Sequence, residues 1–101
     1  MLKYKKMVMI ESNGNGIKMM VSGITYTHSC TMDEFIYNTL HTGLFCGVHK
    51  SYIANIKKID SWNDTTLELY MEEGINISFS VDGLATYRAL LKPQKFRKLI
   101  H

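Results

Sequence analysis

Few cysteines, a single proline and the lack of any long apolar run set the first limits on what this 101-residue chain can be. Two thiols are too few for a disulfide framework, so Cys30 and Cys46 are predicted to be small buried hydrophobes. No apolar segment approaches the roughly 20 residues of a membrane span, and Met7–Ile10 is too short for the core of a secretory signal. With 46% hydrophobic residues, residues 1–101 are expected to fold as one cytoplasmic domain.

Catalytic and metal-binding patterns are also missing. His41, Cys46 and His49 lie close together, but they lack the paired spacing of a zinc site, so no metal or other cofactor is predicted. Ser51 beside His49 is the one candidate for a nucleophile and its base, and no nucleophile elbow surrounds it. Asn13–Gly16 lacks the glycine and lysine pattern of a phosphate-binding loop. We therefore expect a protein that is not an enzyme.

The charged residues are segregated along the chain, although the net charge is only +3. Residues 1–58 carry seven lysines and three acidic residues, and residues 59–82 carry six acidic residues and no basic one. Residues 83–101 carry five basic residues and no acidic one. Clustered basic surface is typical of proteins that bind polyanions. Solvated surface charge that happens to cluster explains the same pattern, so both interpretations stay open at this point.

Hydrophobic periodicity predicts a mostly β chain with one or two short helices. Thr31 and Glu34 have the spacing of a capping box, which predicts a helix over Met32–Leu40. His28 falls on the apolar face of its strand and is predicted to be a core histidine. Strands are expected over Lys5–Glu11, Ile17–Ser22, Ile24–Ser29, Ile56–Trp62, Thr66–Met71 and Ile75–Phe79.

The last part of the chain is expected to hold a second helix. Asp82 is the predicted cap, Leu84, Tyr87 and Leu91 form its apolar side, and Pro93 is expected to end it. The residues that follow, 92–101, are predicted to be a basic tail outside a folded core of about 5–91.

The segment Phe45–Ile59 organises the rest of the chain in this interpretation. Apolar and polar residues alternate along it, which predicts a strand that buries Val48 and presents Lys50 to a partner. Its polar cluster can donate and accept hydrogen bonds, and consists of His49, Lys50, Ser51 and Asn55. Lysine and asparagine suit phosphate oxygens and base edges of duplex DNA, and Asn13, Asn15 and Lys18 add the same residue types.

This segment closely resembles the signature of LytTR DNA-binding domains. In that family a phenylalanine precedes the run Arg-Val-His-Arg-Ser-Tyr-Ile-Val-Asn, and here Phe45 is followed by Cys-Gly-Val-His-Lys-Ser-Tyr-Ile-Ala-Asn, ending at Asn55. Three further segments match in the right order, and the resemblance covers roughly residues 5–91. They are Met9–Asn15 with its Glu-x-x-Gly-Asn pattern, the helix at Met32–Leu40, and the strand over Gly74–Ser80.

The resemblance implies a mostly β fold of stacked small antiparallel sheets, an elongated β-β-β sandwich. It also implies sequence-specific binding of duplex DNA through loops laid into successive major grooves, for transcription regulation. Such domains are output domains of two-component response regulators, and a stand-alone regulator is the other form. The implied partner is double-stranded DNA, at direct repeats in promoters and as a homodimer; no membrane or small-molecule substrate is expected.

Carried over by position, the first DNA-binding loop is Asn13–Lys18, the second centres on Lys50, and the third follows Ser80. His49 is expected to orient the second loop more than it contacts a base. Ser51 and Asn55 either contact phosphate or tie that loop down. The DNA-binding residues implied by the resemblance are therefore Asn13, Asn15, Lys18, His49, Lys50, Ser51, Asn55 and Ser80.

Two departures from the family pattern support an alternative function. Gly47 stands where relatives usually have an arginine, and Val81 and Asp82 follow Ser80 where a basic residue is usual. An aspartate facing phosphate repels it. The alternative is a protein-interaction module of the same fold with weakened or lost DNA binding.

Overall fold

The computed structural model describes the backbone of residues 3–100 and the side chains of residues 3–91. Short 3-10 turns at Tyr4–Lys6, Leu40–Thr42, Ile56–Lys58 and Glu72–Gly74 separate several of the main elements. The helices are α1 (Met32–Thr39) and α2 (Val81–Ile100). The strands are β1 (Met7–Asn13), β2 (Gly16–Val21), β3 (Ile24–His28), β4 (Phe45–His49), β5 (Tyr52–Asn55), β6 (Ile59–Asn63), β7 (Glu68–Met71) and β8 (Asn76–Ser78).

Within the described residues the strands form two antiparallel sheets. The larger sheet has the order β3-β2-β1-β5-β4, and the smaller has the order β6-β7-β8. The prediction of a mostly β fold of antiparallel sheets with two helices is confirmed. No helix among these residues is long and apolar enough to cross a membrane.

Both faces of the larger sheet are buried around its central strand β1, which explains the continuous apolar run Met7–Ile10. One face packs against α1 through a cluster that includes Ile10, Ile17 and Phe35. The other face packs against the smaller sheet and α2, through a cluster that includes Val48 and Leu69.

Helix α1 begins as the sequence predicts. Glu34 N donates to Thr31 Oγ1 at 3.0 Å, and Thr31 N donates to Glu34 Oε1 at 3.0 Å, which completes the capping box. Phe35 anchors the helix on the sheet, because its ring lies edge-on to that of Phe45 with the centroids 5.1 Å apart. The helix is confirmed, although it ends at Thr39 and a 3-10 turn follows.

Helix α2 differs from the prediction at both ends. Its capping residue is Ser80 rather than Asp82, since Ser80 Oγ accepts from Gly83 N at 2.9 Å. The helix also continues to Ile100, so the prediction that Pro93 ends it is wrong. Proline removes one backbone donor and destabilises a helix interior by about 3 kcal/mol. It often kinks a helix without ending it. The basic residues predicted for the tail, 92–101, lie outside the part of the chain whose side chains the structure describes.

Three expectations for single residues and strands are also corrected. The central segment is a hairpin of β4 and β5 that turns at Lys50 and Ser51, not one long strand. His28 is exposed, because β3 is an edge strand with all five residues exposed. The strand predicted from Thr66 begins only at Glu68, after a turn in which Leu67 has φ of 59°.

Candidate nucleic-acid interface

Two hairpin turns lie side by side at one end of the larger sheet. One joins β1 to β2 at Gly14 and Asn15, and the other joins β4 to β5 at Lys50 and Ser51. Since β1 and β5 are antiparallel neighbours, the end of one lies beside the start of the other. A backbone hydrogen bond 3.0 Å long, from Ser12 N near the end of β1 to Ser51 O in the second turn, holds the two turns side by side.

The first turn presents two asparagine side chains to solvent. Asn13 ends β1, Asn15 follows Gly14, and both are exposed. Gly14 has φ of 60°, a conformation that glycine adopts at little cost. The turn therefore presents two polar side chains that can both donate and accept hydrogen bonds.

Lys18, predicted as part of this loop, lies in β2 behind the turn. It is half-buried and sits opposite Glu11 on β1 and Thr27 on β3. Paired residues in a sheet project from the same face. The register therefore extends this row through Tyr52 to His49, so that it crosses all five strands just behind the two turns.

His49 shapes the second turn from within. Its Nδ1 atom accepts a hydrogen bond from Ser51 N at 3.1 Å, and the centroids of its ring and the Tyr52 ring are 5.2 Å apart. This bond leaves Nε2 as the ring nitrogen that can donate to a further partner. Lys50 is exposed at the tip of the turn, and Ser51 is half-buried.

The segment of the predicted third loop lies at the edge of β4. Ser80 N donates to Val48 O at 2.9 Å, and Ser80 Oγ lies 3.5 Å from the same oxygen. Ser80 therefore links α2 to β4, mainly through its backbone N–H, and the helix starts at the next residue. Val81 and Asp82 are both exposed beside it.

Asn55 is not accessible to DNA in this structure. Its exposed fraction is 0%, Nδ2 donates to Met7 O at 2.7 Å, and Oδ1 accepts from Lys57 N at 2.9 Å. Both ends of the amide are therefore used inside the fold. The sequence left two roles open for Asn55, phosphate contact and tying down the loop, and this geometry supports the second.

Gly47 also lies away from the two turns. A Cβ atom placed on it would lie 3.4 Å from Ile36 Cδ1 of α1. A side chain at this position points toward the helix on the other face of the sheet. The glycine thus changes the packing beneath α1, and its position gives no support to the weakened DNA binding expected from the missing arginine.

The surroundings of His49 and Ser51 bear on the hydrolase and metal-site interpretations that the sequence did not favour. His49 Nδ1 is occupied by the backbone of Ser51, so that nitrogen does not face the Ser51 hydroxyl as a base would. Residues 3–91 contain no group of three or more His, Cys, Asp or Glu placed to hold a metal ion.

The two thiols are expected to differ in reactivity. Cys46 is buried beneath the smaller sheet, and burial raises the pKa of its thiol; Cys30 is half-buried, with a pKa raised by burial and by Glu34. A thiol reagent at neutral pH should modify Cys30 about tenfold faster or more, because Cys46 reacts only when the fold opens. The Cys30→Ser variant should retain the slow reaction alone. Equal rates in the native protein would contradict the burial of Cys46.

Known proteins are similar to this chain in sequence and in fold. The family described as the LytTr DNA-binding domain matches residues 1–92. The chain belongs to the LytTR family of DNA-binding domains. A solved LytTR structure is similar to it with a TM-score of 0.78 and 26% sequence identity, covering 89% of this chain and 84% of that one. That structure is the LytTr DNA-binding domain of a protein from Bacillus cereus assigned as a methyl-accepting/DNA response regulator. No curated protein gave a significant match.

The sequence did not point to three residues that lie beside the first turn of this LytTR domain. Thr27, His28 and Ser29 line an open depression together with Asn13 and Asn15. The sequence does contain a signal for their position. A hairpin that turns at Ser22 and Gly23 pairs residue 28 with residue 17, which lies close to the first turn.

Proposed function

We propose that this LytTR domain binds duplex DNA at specific sequences and regulates transcription in the cytoplasm. It acts as the output domain of a two-component response regulator or as a stand-alone regulator, and residues 1–101 form one domain. The observation that carries the proposal is the pair of turns held side by side by the Ser12–Ser51 hydrogen bond. Rigid turns with exposed polar tips can enter a groove without paying to order a flexible loop.

The spacing of strands limits how these turns meet DNA. Neighbouring strands lie about 4.8 Å apart, so the two turns, two strand spacings apart, are separated by roughly 10 Å. A major groove is about 12 Å wide, and one turn of B-DNA repeats after roughly 34 Å. The two turns alone therefore fit one groove and its phosphates. The Ser80–Asp82 segment extends the line of turns beyond β4, toward the backbone that flanks this groove.

The residues proposed to contact DNA have unequal roles. Asn13, Asn15 and Lys50 are exposed at the turn tips, where they can contact base edges or phosphates. His49, Ser51, Lys18 and Ser80 lie behind them. His49 and Ser51 shape the second turn, and Ser80 links the start of α2 to β4. Asn55 is excluded from this set by its burial.

Replacing Lys50 with alanine is expected to weaken binding to the preferred site by about 1–3 kcal/mol if the lysine reads a base. If Lys50 contacts a phosphate, binding weakens on all sequences and the dependence of log K on log salt becomes shallower by about 1. Fluorescence anisotropy with promoter fragments at several salt concentrations separates these outcomes. Lys57→Ala is the matched control, because Lys57 is an exposed lysine in the 3-10 turn that follows β5, at its other end from Lys50.

A DNA affinity of the native protein that does not change with DNA sequence or with salt concentration would contradict the proposal.

Two carboxylates near the proposed interface favour the second candidate function, a protein-interaction module. Glu11 lies opposite Lys18, and Asp82 is exposed beside Ser80. Undetectable DNA binding together with partner binding that survives Lys50→Ala would favour that candidate.

A further inference from the structure

Four strands lie at the edges of the two sheets in the described part of the chain, and three of them are protected against pairing with another protein. Strand β4 is covered by α2, and its Val48 carbonyl accepts from Ser80 N. Strand β6 carries Asp60 at an irregularity in its register, and β8 has only three residues. Coverage, bulges, charges and short length are the features that block edge-to-edge association.

Strand β3, the fourth edge, has none of these features. It pairs with β2 along all five residues without a shift in register. Its sequence, Ile-Thr-Tyr-Thr-His, contains no proline and no Lys, Arg, Asp or Glu. Every residue is exposed, including two large apolar ones, Ile24 at 55% and Tyr26 at 37%. A regular, uncharged and partly apolar edge is a template for a further strand.

The turn before β3 determines which of its backbone groups are free to pair. Ser22 and Gly23 have φ of 51° and 78°, as in the two-residue type I′ turn. The residues that close such a hairpin, Val21 and Ile24, exchange both of their hydrogen bonds, and the pattern then alternates along the strand. It follows that Tyr26 and His28 also bond to β2. The N–H and C=O groups of the two threonines, Thr25 and Thr27, point away from the sheet.

We propose that β3 pairs with β3 of a second copy of this chain, antiparallel and about a two-fold axis at Tyr26. The strand is self-complementary about that residue, because a threonine lies on each side of it. In this register Thr25 faces Thr27 of the partner, and the two threonines of each copy form four backbone hydrogen bonds across the axis. Ile24 faces the partner's His28, so no like charges oppose each other, and the two five-stranded sheets join into one of ten strands.

This pairing has a consequence that rests on the proposed function. His28 at the end of β3 lies opposite Ile17, close to the turn at Gly14 and Asn15. The two-fold axis reverses the strand, so the turns of the two copies lie at opposite ends of the joined sheet. Such a dimer presents two DNA-binding ends that face away from each other. It suits the tethering of two duplex segments and not the occupation of adjacent sites on one straight duplex.

The test is sedimentation equilibrium of the whole chain without DNA, from micromolar to millimolar concentration. The mass should rise from that of the 11.6 kDa monomer toward twice that value. The double variant Thr25→Lys/Thr27→Lys places like charges opposite each other and should remain monomeric. Thr25→Lys/Thr27→Glu places opposite charges there and should still dimerise. The matched control Asn76→Lys/Ser78→Lys, on the exposed edge strand β8, should dimerise as the native chain does.

Amide hydrogen exchange of the native chain gives a second measurement that needs no variant. Protection of the Thr25 and Thr27 amides should rise with concentration, while that of Tyr26 should not change, since its amide is already bonded to β2. A native chain that stays monomeric at millimolar concentration would overturn the proposal, as would a dimer that survives the two lysines. A dimer that forms as described but binds no DNA would leave the pairing in place and contradict the proposed function.

Discussion

Replacing Gly83 with alanine should destabilise this domain by more than about 3 kcal/mol, although alanine is the better helix former. Gly83 is buried in the first turn of α2, where the helix crosses β4. A Cβ atom on it would overlap the carbonyl carbon and oxygen of Val48 and would lie 2.8 Å from Val48 Cα. These are backbone atoms of a strand, which cannot move aside as a flexible side chain does. The helix must therefore shift away from β4, and Leu84 and Tyr87 lose their packing.

The sign of the change in stability distinguishes helix propensity from the contact with Val48. Helix propensity alone predicts that Gly83→Ala gains about 1 kcal/mol, whereas the contact with Val48 predicts a large loss. Urea unfolding monitored by circular dichroism distinguishes the two. Ala85→Gly, at an exposed position two residues later, is the reference for propensity and should cost only about 1 kcal/mol. An unchanged or higher urea midpoint for Gly83→Ala would show that α2 does not lie this close to β4.

Replacing Asn55 with alanine should cost about 2–4 kcal/mol of folding stability, in contrast to its predicted role in DNA contact. Strand β1 has an irregular register between Met7 and Met9, and its pairing with β5 is described only from Met9 onward. The Asn55 amide donates to Met7 O in place of a further strand bond. Alanine leaves that buried carbonyl without its partner and removes the acceptor for Lys57 N at the next turn.

The matched control is the same substitution at an exposed asparagine. Asn15→Ala should change the urea midpoint little, within about 0.5 kcal/mol, and should weaken DNA binding if the first turn contacts DNA. Asn55→Ala should show the reverse order, with stability lost and the affinity of the folded fraction largely kept. If Asn55→Ala left stability intact and abolished DNA binding, the buried role described for Asn55 would be wrong.

Features encoded over a few residues were predictable from the sequence. The capping box of Thr31 and Glu34 depends on residues three apart, and the structure reproduces both of its hydrogen bonds. The apolar run Met7–Ile10 predicted a buried strand, and all four residues are buried. The Phe45–Asn55 segment pointed to the family before any fold was known.

Features set by distant contacts were not predictable. Asp82 and Ser80 are equally suitable capping residues in sequence, and Ser80 is the cap in a structure where its backbone is tied to Val48, 32 residues away. The role of Asn55 depends on Met7, 48 residues away. The turn at Lys50 and Ser51 contains neither glycine nor proline, and a side-chain acceptor on His49 shapes it instead.

The bond that joins the two turns connects backbone atoms, Ser12 N and Ser51 O, and so does not depend on which side chains the turn tips carry. Asn13, Asn15 and Lys50 can therefore be exchanged while the sheet beneath them keeps its register and its two packed faces. If the turns contact DNA as proposed, a new site preference can arise in such a domain by replacing a few exposed residues, with little loss of stability. Selection of turn libraries on this unchanged sheet is a direct route to variants with altered sequence preference.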